Sequence, residues 1–165
     1  MNAKKPKDDP AEEEGREVEP SELDEATHAE LRMLYTESAR SVLFAKSHQW
    51  RTVGSTLVLF LVLILIGKFF ANSQEFINNL QALVFLATPA SILVIIIYQF
   101  WQHTEYEMQV GIAHNLSNVF RHLRGIKSHT EANVHRYTLL LFMIIIQCIG
   151  AYITFATLAT IQWYR

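Results

Sequence analysis

Three apolar runs, Val53 to Phe70, Leu80 to Trp101 and Thr138 to Trp163, carry one charged residue among them, Lys68. Each is about 18 residues or longer, and about 20 helical residues are enough to cross a bilayer core of ~30 Å. A segment in lipid must satisfy its own backbone N–H and C=O groups, so runs of this length are read as helices. The pattern predicts an all-α membrane protein with three transmembrane helices, cytoplasmic helical extensions and a disordered acidic N-terminal tail. Half of the chain's 165 residues are hydrophobic. Because the first fifth is highly charged, that apolar half has to be concentrated in the runs.

The expected organisation is a tail over residues 1–20, a cytoplasmic amphipathic helix over 21–52 and a first span over 53–70. An external loop over 71–79, a second span over 80–101, a cytoplasmic helical loop over 102–137 and a third span over 138–163 follow. The tail "MNAKKPKDDPAEEEGREVEP" mixes acids, bases and prolines with almost nothing to bury, which predicts disorder. Ser21 with Asp24 resembles a capping box, so a helix is expected from about Glu22. The first apolar run stands behind this charged segment, which is not the layout of a removable secretory signal.

Charge placement sets the predicted orientation. Eight of the 14 Lys and Arg precede the first span, and Arg121, Arg124, Lys127 and Arg136 lie between the second and third. The loop "ANSQEFINN" has none. The positive-inside rule then puts the N-terminus and the long loop in the cytoplasm and the C-terminus outside, in a multi-pass protein of the cell inner (plasma) membrane. Trp50, Trp101 and Tyr137 fall at the inner interface and Phe70 and Trp163 at the outer one, as aromatic belts do. Lys68, near the outer end of its helix, can reach the headgroups with its ammonium.

Two apolar stripes are expected outside the spans. Leu31, Leu34, Tyr35, Val42 and Ala45 share one helical face, interrupted only by Ser38. Met108, Ile112, Leu116, Val119, Leu123 and Ile126 repeat the spacing in the long loop, with His103, Glu107, His114 and Arg121 turned away. That second helix is expected to end near Gly125 or "KSHTE". Leu31, Leu34, Val42, Ile112, Leu116 and Val119 are the candidate cytoplasmic docking residues, facing each other or a neighbouring subunit.

Within the third span Gln147, Gly150, Ala151, Thr154 and Thr157 fall on one face, the small and polar composition of close helix packing with interhelical hydrogen bonds. Gln147, Gly150, Thr154 and Thr157 are the candidate packing or oligomer residues, and a pore lining is the alternative for the same stripe. Pro89 interrupts the second span and is expected to kink it.

Catalytic constellations are missing from the sequence. No Gly-rich phosphate loop or GxSxG elbow occurs, and the spans contain no Asp or Glu for acid-base chemistry or ion coupling. No catalytic residue and no cofactor are predicted, and diluted bases argue against nucleic acid as a partner. His48, His103 and His135 are expected at one depth and are the candidate metal or haem ligands, although no HxxxH or HExxH pair supports them. Cys148, the single cysteine, lies mid-span.

A helix bearing Tyr35, then Phe44, Ala45, Lys46, Gln49 and Trp50 directly before a span, resembles small bacterial multi-pass membrane proteins and is similar in layout to SLATT-type effectors. The resemblance implies an effector of a bacterial antiphage or conflict system that assembles and permeabilises the membrane when a cytoplasmic protein or small molecule triggers it. This chain departs from that layout in its third span and in carrying no nucleotide-sensing domain. The functional expectation is thus a non-enzymatic, homo-oligomeric membrane protein whose surroundings are lipid. An accessory or scaffold subunit of a larger membrane complex is the alternative, and a haem- or metal-binding protein the third.

Overall fold

The computed structural model describes residues 23–117, 120 and 129–163. The tail, Ser21, Val119, Leu123, Gly125 and Ile126 lie outside the described residues. Among the described residues three long helices make up the fold: α1 (Glu25–Phe70, 46 residues), α2 (Gln74–His114, 41 residues) and α3 (His129–Trp163, 35 residues). Each packs on the other two, so they form a three-sided bundle. All three are long and apolar enough to cross a membrane. At ~1.5 Å per residue, α1 is about 69 Å long, more than twice a bilayer core, so a single unbroken rod joins the amphipathic segment to the first apolar run.

The helix start differs from the expected capping box. Asp24 is the N-cap of α1, in extended conformation, and accepts a hydrogen bond from the Thr27 backbone N–H at 3.3 Å. Hydrogen bonds from Thr27, its side chain first and its backbone second, hold the Asp24 carboxyl below its ordinary value. A lowered carboxyl pKa means that the cap stabilises the helix above the unfolded value and is lost as pH falls through the folded one. Asp24→Ala is expected to fray the first turn, read as faster amide exchange at Thr27 and His28 at neutral pH. The difference from wild type should disappear in acid.

Between α1 and α2 the chain turns over Ala71, Asn72 and Ser73, and the Ser73 hydroxyl caps α2 by accepting from Phe76 N–H at 3.2 Å. Despite Pro89, α2 is one continuous helix to His114. There it stops, short of the expected Gly125. Asn115 takes up its last carbonyls, through its backbone N–H to Ile112 and its side-chain amide to Gly111.

Two apolar clusters fill the bundle. One joins Phe60, Leu63, Ala71, Ile77, Leu80, Val84 and Leu158, and a smaller one joins Val53, Ile95 and Met143. The opposite faces of the same runs are exposed and apolar, as in Phe69, Phe85, Leu86 and Tyr152, the pattern of a bundle whose outer surface meets lipid.

Candidate functional site

The most buried positions of the three helices recur at spacings of three and four, and many of them are polar. On α1 they include Ser38, Gln49 and Thr56; on α2, Ser91, Gln99, Gln102 and Gln109; on α3, Gln147 and Thr154. A polar file therefore runs through a bundle whose outside is apolar. Turning amides inward in this way is favourable only where they bond one another, since an unpaired buried polar group costs several kcal/mol.

The file opens with Ser38. Its hydroxyl donates to the Glu105 carbonyl at 2.9 Å and accepts from Gln109 Nε2 at 3.3 Å. Three turns along α1, Gln49 is the hub of a three-glutamine cluster. Its Nε2 donates to the Ile95 carbonyl at 2.9 Å and to Gln99 Oε1 at 3.3 Å. Its Oε1 accepts from Gln102 Nε2 at 2.7 Å. These bonds fix the register of α1 against α2, because one turn of slippage would separate all the partners at once. Ala45, fully buried between Ser38 and Gln49, lets the two helices approach.

Beyond the glutamine cluster comes the apolar layer of Val53, Ile95 and Met143, and beyond that Gln147, which is completely buried. At Gly150, one turn further, α3 lies close against α1; a Cβ there would sit 2.7 Å from Leu57 Cδ2 and 3.2 Å from Phe60 Cδ2. Thr154 and Thr157 do not make interhelical hydrogen bonds. Their hydroxyls donate back to the carbonyls of Gly150 and Ile153 on their own helix, each at 2.7 Å, the usual outcome for threonine in a helix. What α3 contributes at these positions is closeness of approach, with Gln147 as its one amide.

The candidate docking residues differ in burial. Within the α1 stripe Ser38 and Ala45 are buried and Leu34, at its edge, is 41% exposed; on α2 Gln109 is buried and its neighbour Met108 is 42% exposed. Leu31 and Val42 are half-buried, and Ile112 and Leu116 are buried. Selecting the inward face by hydropathy passed over Gln109 in favour of Met108, a displacement of about 100° on a helix of 3.6 residues per turn. The missed residues are Gln99, Gln102 and Gln109. Their signal is spacing, since they continue the three-four repeat of Ile95 and Ile112 in polar residues.

The three candidate histidines have separate surroundings. His48 stacks on Tyr98 at 5.6 Å between centroids and touches Phe44, in an aromatic patch completed by Trp101. His103 accepts at Nδ1 from an Arg136 guanidinium nitrogen at 3.2 Å, with Glu107 at 4.0 Å. Arg136 also lies over the rings of Tyr106 and Tyr137, which ties the start of α3 to α2. His135 is exposed. Among the described residues no group of three or more His, Cys, Asp or Glu is placed to hold a metal ion. The geometry around His48 and His103 is that of aromatic and cationic anchoring of one helix to the next.

Fold and site together define the class: an all-helical bundle with three helices long enough to span a membrane and a buried polar file along its axis. Compared with known proteins, the chain matches no family model, no curated protein and no solved structure.

Proposed function

We propose that the chain is a non-enzymatic, oligomeric inner-membrane protein that permeabilises the membrane. In this reading the N-terminus and the long extensions of α1 and α2 are cytoplasmic and the C-terminus is outside. A protein or small molecule acting on the extensions rearranges the helices. The observation that carries the reading is the polar file from Ser38 through Gln49, Gln99, Gln102 and Gln147 to Thr154, hidden inside the isolated bundle. Apolar side chains would hold three helices together at less desolvation cost. The same amides, opened toward a shared axis when several copies assemble, supply the polar lining that an aqueous path requires. The unbroken α1 gives the trigger a mechanical route, because a displacement near Leu34 is transmitted along one rod to Val53. The SLATT-like layout adds the setting, a bacterial antiphage or conflict system.

The test is controlled expression with a potential-sensitive dye, alone and beside the neighbouring genes under phage challenge. Loss of membrane potential is expected, together with release of a small dye from vesicles holding the purified protein. Unchanged growth and potential in every condition would sink the proposal. Exposed Met33, Leu34 and Leu43 on the α1 extension favour the second reading, a scaffold subunit docking a larger complex. Under that reading, the detergent-extracted protein copurifies with a partner and vesicles stay intact.

A further inference from the structure

We infer that the Gln147 amide binds water in the interior of the bundle, at the depth of the apolar runs. Gln147 is 0% exposed, and neither its Nε2 nor its Oε1 has a hydrogen-bond partner among the described residues. Its level follows from its neighbours. Met143, one turn before it, packs with Val53 and Ile95, and Gly150, one turn after it, lies against Leu57 and Phe60. Thr56 and Ser91, both buried, stand one turn on from Val53 and Ile95 in the same direction and so share the level of Gln147.

The chemistry of that level leaves a gap that only one ligand fits. Every hydroxyl nearby has committed its proton to its own helix: Thr52 to His48, Thr56 to Thr52, Thr88 to Val84, Ser91 to Thr88 and Thr154 to Gly150, at 2.7 to 2.9 Å. These oxygens can still accept a hydrogen bond, but none can donate one to Gln147 Oε1. The ligand must therefore donate to Oε1 and accept from Nε2 at once. Water does both. A monovalent cation would satisfy the oxygen and leave the N–H₂ group orphaned, and the spans hold no carboxylate to balance its charge. Buried waters typically make two to four such bonds, and the Gln147 amide with the lone pairs of Thr56 and Ser91 provides that number at one level.

This site is separate from the interfacial glutamines. Gln99 Nε2 is also without a partner among the described residues, but it lies on the other side of the layer formed by Val53, Ile95 and Met143. The water at Gln147 is accordingly enclosed between that layer and the Phe60, Leu63, Val84 and Leu158 cluster.

Water-edited solid-state NMR on the full chain in deuterated lipid tests the assignment directly. The probe is water itself, and the side-chain N–H₂ signal of Gln147 is identified by its absence in Gln147→Met. Magnetisation from water is expected to reach that group at least threefold faster than the backbone amide of Leu158, which is equally buried in an apolar cluster. Equal build-up at the two groups would overturn the inference. The readout needs neither a trigger nor permeabilisation, so it succeeds or fails independently of the proposed function.

Discussion

Replacing Gln49 by leucine is expected to destabilise the bundle by about 2–4 kcal/mol, as two buried amides are left without their partner. Gln49 makes three bonds, donating to the Ile95 carbonyl and to Gln99 Oε1 and accepting from Gln102 Nε2. The Ile95 carbonyl keeps its helical partner in the variant. Gln99 Oε1 and Gln102 Nε2 do not, and both side chains are nearly inaccessible, at 6% and 4% exposure. Double-mutant measurements give interhelical hydrogen bonds in membranes about 0.6 kcal/mol each on average, so the bonds alone account for the smaller part of the loss. The larger part is the desolvation of groups that leucine cannot satisfy. Gln74→Leu, which removes only an exposed contact with Asn78 on the same helix, should stay within about 0.5 kcal/mol. Unfolding in a mild detergent titrated with a denaturing one measures both. A Gln49→Leu midpoint equal to that of Gln74→Leu would mean that the cluster contributes nothing to holding α1 against α2.

The contrast between Gln49 and Val53 explains which parts of this molecule were legible before the structure. Apolar runs such as Val53 to Phe70 need no partner to be recognised, because the bilayer alone demands their length and composition. The continuity of α1 across Trp50 was equally readable, since nothing between Glu25 and Phe70 breaks a helix until Gly54, and that glycine is tolerated. The inward face was harder to read. Hydropathy ranks glutamine with surface residues, so the apolar stripe on α2 takes in Met108, which is exposed, and leaves out Gln109, which is not. The threonines of α3 misled in the opposite sense. Their spacing with Gly150 suggested donors reaching across to another helix, but a carbonyl one turn back is always closer to a helical hydroxyl than a neighbouring helix is. Shared depth likewise did not mean convergence for His48 and His103. Each faces a different aromatic or cationic partner, and the direction in which a helix presents a side chain depends on tertiary packing. Asp24 shows the limit on boundaries: either Ser21 or Asp24 could cap by residue type, and the Thr27 N–H selects Asp24.

Leucine at Gly150 should lower the thermal transition sharply, whereas leucine at Gly54 should leave it unchanged or raise it slightly. Both glycines lie in the middle of helices, so both substitutions gain the ~1 kcal/mol by which ordinary residues exceed glycine in helix propensity. Their surroundings differ. A Cβ at Gly54 meets nothing within 4 Å, while one at Gly150 stands 2.7 Å from Leu57 Cδ2 and 3.2 Å from Phe60 Cδ2. The Leu57 methyl is the end of a flexible side chain and can yield to an alanine. A leucine adds three more carbons against Phe60, which is 2% exposed and has no free direction in which to turn. Overpacking of this kind costs about 1–3 kcal/mol and here acts at the seam where α3 meets α1, so it exceeds the propensity gain. The expected order of midpoints in differential scanning fluorimetry is Gly54→Leu at or above wild type, Gly150→Ala slightly below it, and Gly150→Leu lowest. Should Gly150→Leu melt with Gly54→Leu, the Gly150 face would be turned to lipid and the three-sided packing of the bundle would be wrong.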